Sequence, residues 1–85
     1  MSKRIAIVED DPAIRENYAS ALQKQGYEVV TYSTRKDAET AFMQRLPDLA
    51  VVDIGLNDEI DGGFVLCQQL RSLSKTLPII FFTAR

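Results

Sequence analysis

Eighty-five residues with 46% hydrophobic and 26% charged side chains describe one small globular domain with a packed core, spanning 1–85, and exclude a disordered tail or a fibre. Glu9, Asp10, Asp11, Asp53, Asp58, Glu59 and Asp61 hold seven of the twelve acids, so the ten lysines and arginines leave the rest of the surface mildly basic, which favours a cation site over a nucleic-acid face despite a net charge of only -2. A single cysteine and no histidine exclude an internal disulfide and the common Cys/His zinc sites, and no apolar run approaches the roughly 18 residues of a membrane span.

Met1 to Arg4 lead directly into a strand-like segment with no apolar leader, which reads as a cytoplasmic protein. Ile5 to Val8 is a short apolar run, too short for a helix, closed by Glu9-Asp10-Asp11. Asp11-Pro12 starts a helix, because Asp accepts the free amides of a first turn and Pro is tolerated where no donor is needed. Ile14, Tyr18, Ala21, Leu22 and Gln25 give its inner face, Arg15, Glu16, Gln23 and Lys24 fall mostly on the other, and Gly26 supplies the stop. Glu28 to Tyr32 forms a second strand, polar at both ends as at a sheet edge. Thr34 and Asp37 form a capping box with Asp in place of Glu, followed by a helix with Ala38, Ala41, Phe42 and Leu46 on its buried stripe and Pro47 at its end.

Asp48 to Asp53 is an apolar run ending on a lone carboxylate, a strand buried on both faces whose Asp53 side chain is expected to reach solvent and partners at the sheet rim. Residues 54–63 read as a loop from their Gly, Asn and Asp content, with Asp58, Glu59 and Asp61 solvated rather than arranged as a calcium loop. Phe64, Leu66, Cys67, Leu70 and Leu73 mark a third helix in which Cys67 reads as a small core hydrophobe. Pro78 opens a last strand, Ile79 to Phe82, expected to be buried on both faces, and Tyr18, Tyr27, Phe42 and Phe64 read as core or near-core residues.

Strict alternation of strand and helix predicts a doubly wound α/β fold, a parallel sheet with right-handed crossovers and helices on both faces. Ligands of such sheets sit beyond the carboxyl ends of the strands where strand order reverses, and those ends are Glu9-Asp10, Asp53 and Thr83. If the first and third strands are neighbours, three carboxylates converge. Hard oxygen donors without His or Cys suit Mg2+, which keeps most of its waters and leaves room for phosphoryl oxygens. Asp53 is then a ligand alone or a phosphoryl acceptor as well, and Thr83 is placed to hydrogen-bond a phosphoryl oxygen.

Taken together, Ile7-Val8-Glu9-Asp10-Asp11, the run from Asp48 to Asp53-Ile54, Leu56, Asp61-Gly62 and the segment from Pro78 to Arg85 resemble the receiver domain of bacterial two-component response regulators over the whole chain. The resemblance implies a flavodoxin-like fold, here without the last strand and last two helices. It also implies Asp53 as phosphoacceptor from a histidine kinase, Asp10 as direct Mg2+ ligand, Glu9 as ligand through water and Gly55 as carbonyl ligand, with the Thr83 hydroxyl and Ala84 amide on the phosphoryl group. Glu9 and the Thr-Ala-Arg ending look most like regulators carrying a winged-helix DNA-binding domain, so nucleic acid is a partner only through an output domain outside this chain. The loop is also similar to that of regulators accompanying dedicated sortase systems in proteobacteria. Two features depart from the family pattern: a loop one or two residues longer after Asp53, with Asn57 where Pro is usual, and no lysine-bearing fifth strand after Thr83. The expectation is a phosphoacceptor rather than an enzyme, self-associating through its exposed last strand; the alternative is an interaction or oligomerisation module without phosphoryl chemistry.

Overall fold

The computed structural model describes residues 3–54 and 62–82. Four strands, β1 (Arg4–Val8), β2 (Glu28–Tyr32), β3 (Leu49–Asp53) and β4 (Ile79–Phe82), alternate with three helices, α1 (Pro12–Lys24), α2 (Arg35–Gln44) and α3 (Gly62–Leu73). Every strand pair is parallel and the sheet order is β2-β1-β3-β4. The chain therefore moves outward from β1 to β2, then returns to place β3 on the other flank of β1. This reversal between β1 and β3 is the switch point of a flavodoxin-like sheet, and ligands of such sheets bind beyond the carboxyl ends of the strands at that point.

The helix boundaries follow from local chemistry. Asp11, extended at φ -79° and ψ 118°, accepts the Ala13 and Ile14 amides through Oδ1 at 2.9 and 3.2 Å, and Pro12 opens the first turn of α1. At the other end Gly26 adopts φ +94°, and its amide donates to Gln23 O at 3.0 Å while the Tyr27 amide donates to Leu22 O at 3.3 Å. This paired closure is the Schellman arrangement, and the left-handed residue it requires is glycine. Thr34 caps α2 through the Asp37 amide at 3.1 Å. That helix ends at Gln44, with Arg45 already extended, so Leu46 lies beyond the helix whose stripe it was expected to join, although it still packs against the core. The steric bias of a residue preceding proline, here Leu46 before Pro47, against helical geometry accounts for the early end.

One face of the sheet carries the main core. Ala6, Val8, Ala50 and Val52 meet Ala38 and Phe42 of α2, Leu66 and Leu70 of α3, and Leu77 from the connection to β4. Leu66 and Leu70 are wholly buried, a burial that contributes about 1.5–3 kcal/mol per side chain. Strand alternation sends Ile5 and Ile7 to the opposite face, where α1 lies over β1 and β2 and the Tyr18 ring reaches Phe82 edge-on at 5.0 Å.

Three expectations about burial are corrected. Phe42 is core, but Tyr18, Tyr27 and Phe64 are 40 to 45% exposed, and the Tyr18 and Phe64 rings each pack against one ring of β4, Phe82 and Phe81 respectively. β4 is not buried on both faces: Ile80 is 51% exposed, since among the described residues the α1 face has one helix and it covers mainly the β1 and β2 side. The third correction concerns Asp53, which is 1% exposed and enclosed beside Glu9 instead of reaching solvent.

Candidate metal centre

Backbone pairing brings two acidic strand ends together. β1 and β3 are in parallel register from Ile5 opposite Leu49 to Val8 opposite Val52, so Glu9 and Asp53 follow directly at the same rim. The Glu9 amide donates to Tyr32 O at 3.1 Å, which continues the β1 to β2 ladder past the end of β1, and the Ile54 amide donates to Phe82 O at 3.0 Å, which does the same for β3 against β4. Carboxylate oxygens of Glu9, Asp10 and Asp53 all lie within 4.8 Å of one another. Glu9 is fully buried, Asp53 nearly so, and Asp10 is half-exposed, so the cluster has one open side.

Three close acids set a severe electrostatic condition. The Glu9 carboxyl is raised from 4.5 to about 7, chiefly by burial, further by hydrogen bonding to the Asp10 side chain and by the charge and hydrogen bonding of Asp53, against the lowering effect of the Asp11 amide. That amide donates to Glu9 Oε1 at 2.9 Å and sets the side chain's direction. A proton on Glu9 thus relieves part of the repulsion when no cation is bound. A small hard cation relieves it too, and an all-carboxylate donor set with an open side for water and phosphoryl oxygens fits Mg2+.

Of the residues expected at the site, the structure brings Glu9, Asp10 and Asp53 together. Gly55, Thr83 and Ala84 lie outside the described residues, as do the readings on loop length, Asn57 and the acids Asp58, Glu59 and Asp61. Sequence reasoning missed Arg15, which it assigned mostly to the outer face of α1. The residue is half-buried, and its Nη1 donates to the main-chain carbonyl of Glu9 at 2.9 Å. Its position four residues after the capping Asp11, one turn along, was the available signal.

Comparison with known proteins gives the same reading of the fold. The chain is 35% identical over 82 residues to the virulence transcriptional regulatory protein PhoP of Salmonella typhimurium, and 42% identical over 82 residues to the transcriptional regulatory protein YvcP of Bacillus subtilis. Each match covers 96% of this chain but only 36% and 33% of the relative, so the chain spans about a third of the length of these regulators. Among solved structures, the non-phosphorylated HemR receiver domain of Leptospira biflexa superposes with a TM-score of 0.87 at 33% identity, covering 99% of this chain and 66% of that one. The response regulator TrrA of Thermotoga maritima, solved in complex with Mg2+ and BeF, gives 0.86 at 35% identity over 98% of this chain and 70% of that one. A family model described as the response regulator receiver domain matches residues 5–85, and on this match and these relatives the chain belongs to the receiver domain family of response regulators.

Proposed function

We propose that Asp53 is the phosphoacceptor of this receiver domain, taking a phosphoryl group from a phosphohistidine of a histidine kinase with Mg2+ held by Glu9, Asp10 and Asp53. The observation that carries the proposal is the convergence of these three carboxylates within 4.8 Å at the β1/β3 switch point, with Asp53 on the last residue of β3. Bound Mg2+ would supply charge neutralisation at the acids and at the phosphoryl oxygens. The chain's own part is positioning: β3 fixes the Asp53 carboxylate at a rigid strand end. An Asp53 oxygen bonds to phosphorus as the phosphorus–nitrogen bond to imidazole breaks, and the leaving electron pair goes to that nitrogen. Gly55 as carbonyl ligand, and Thr83 and Ala84 as phosphoryl contacts, complete the proposed site on the strength of the family resemblance.

The product is a phosphoprotein, not a released metabolite, so the domain acts as a signalling module rather than a turnover enzyme. A phosphorylated Asp53 replaces the single charge of its carboxylate with the roughly -1.5 to -2 charge of a phosphoryl group, a net gain of about one negative charge or less at the rim. In longer regulators such as those matched, we propose that this charge controls a DNA-binding output domain of winged-helix type in the cytoplasm. No helix among the described residues is long and apolar enough to cross a membrane.

Incubation with Mg2+ and a small radiolabelled acyl-phosphate tests the assignment. Wild type takes up label that is labile to base and abolished by EDTA, and Asp53→Asn takes up none; label persisting in Asp53→Asn refutes it. A second reading, self-association through the sheet margin at β4, is favoured by the exposed Ile80.

A further inference from the structure

The short segment joining β1 to α1 carries Glu9 and Asp10, and its hydrogen bonds tie it to the first turn of the helix. The Asp11 amide donates to Glu9 Oε1 at 2.9 Å, the Arg15 amide donates to Asp11 O at 2.9 Å, and Asp11 Oδ1 receives the Ala13 and Ile14 amides. Arg15 Nη1 adds a bond to Glu9 O at 2.9 Å, and that oxygen belongs to the peptide linking Glu9 to Asp10. The same residue is held from β2 by the bond from its amide to Tyr32 O at 3.1 Å. The Glu9–Asp10 peptide is therefore held by a side chain that is not one of the acids.

We infer that Arg15 is a positioning residue for the divalent-cation site: by fixing the orientation of the Glu9–Asp10 peptide it fixes the direction from which both carboxylates approach the cation. This inference rests on the Mg2+ reading of the cluster. Groups that orient metal ligands matter as much here as the ligands, because an acidic loop free to rotate must be ordered each time a cation binds.

The charge and the hydrogen bond of Arg15 act on a bound cation in opposite directions. A guanidinium close to the site repels Mg2+, so a role through charge alone means that removing it tightens binding. A role through position means that removing it weakens binding. The sign of the change separates the two.

Arg15→Met keeps the aliphatic stem and the helix propensity while deleting the donor and the charge. Mg2+ affinity is measured on the whole chain by titration calorimetry or by competition with Mn2+ in electron paramagnetic resonance, with thermal melts run alongside to confirm that each variant is folded. The expected result is binding weakened about tenfold in Arg15→Met, the low end of the effect of losing a group that orients a metal ligand. Arg15→Lys, which keeps the charge but not the planar fork, is expected to weaken it about threefold. Unchanged or tighter Mg2+ binding by folded Arg15→Met overturns the inference. If that variant does not fold, Arg15→Lys decides, and affinity equal to wild type overturns it. Wild type that binds no Mg2+ refutes the cation site itself, a result distinct from a normal wild type with an unaltered Arg15→Met.

Discussion

Glu9 is where burial, hydrogen bonding and the proposed cation site meet on one side chain. Its carboxyl is raised from 4.5 to about 7, so between those values the folded chain holds a proton that the unfolded chain has released. Where the native state binds more protons, stability falls as pH rises. The Glu9 contribution to stability is fully present below the unfolded value, declines as pH rises through the window, and is lost above about 7. In EDTA, the melting temperature of wild type minus that of Glu9→Gln should therefore decrease from pH 4.5 to pH 7. A difference that is flat or rises with pH contradicts the assignment. The same proton competes with the cation, so Mg2+ binding below pH 7 releases a proton and weakens as pH falls. Equal Mg2+ affinity at pH values of about 5.5 and 8 would show that Glu9 is not part of the site.

At the scale of elements, the strand and helix ends do most to place the acids. Gly26 ends α1 at φ +94° with open space where a Cβ would stand, so Gly26→Ala has only a backbone cost, about 1 kcal/mol. Urea unfolding should show a lower midpoint at an unchanged slope, and a midpoint equal to wild type would refute that account. This stop, like the Asp11 and Thr34 caps, was readable in the sequence because its cause is local and tied to residue type. The convergence of Glu9, Asp10 and Asp53 was readable only in part: strand and helix alternation puts the strand ends on one rim, but that β1 and β3 are neighbours is supplied by the structure. The enclosure of Asp53 was not readable, because it depends on tertiary placement beside Glu9 and Asp10 and not on any pattern within its own strand. Arg15 escaped for a related reason: apolar periodicity divides a helix into inner and outer faces and says nothing about a long polar side chain reaching back past the first turn to a carbonyl. Leu77 was missed as well. It is 6% exposed in a connection without periodicity, and only tertiary packing puts it in the core with Leu66 and Leu70.

At the scale of the whole molecule, the two faces of the sheet are unequally covered among the described residues, and the inequality bears on the proposed self-association. α2 and α3 bury Val8, Val52, Leu66 and Leu70 completely on one face, whereas on the other the described elements supply α1 alone, leaving Ile80 51% exposed on a strand with one described neighbour. A margin of this kind offers both apolar side chains and strand-edge hydrogen-bonding groups, and natural sheets usually blunt such margins with charge or cover. Neither flank of Ile80 within β4 does so, as Ile79, Phe81 and Phe82 are all apolar. Self-association through this margin should therefore appear as a rise in weight-average mass with concentration in sedimentation experiments. Ile80→Lys places a charge where the apolar contact would form and leaves the α2 and α3 core untouched, since Ile79 and Phe81, not Ile80, pack against it. Burial of an isoleucine is worth about 1.5–3 kcal/mol, so the variant should weaken association at least about tenfold while the melting temperature of dilute protein stays near wild type. Association persisting unchanged in Ile80→Lys would move the contact away from β4, and a wild type monomeric at all concentrations would remove it. Phosphoryl uptake at Asp53 is measured independently of either result, so the contact at β4 and the chemistry at the acidic rim stand or fall separately.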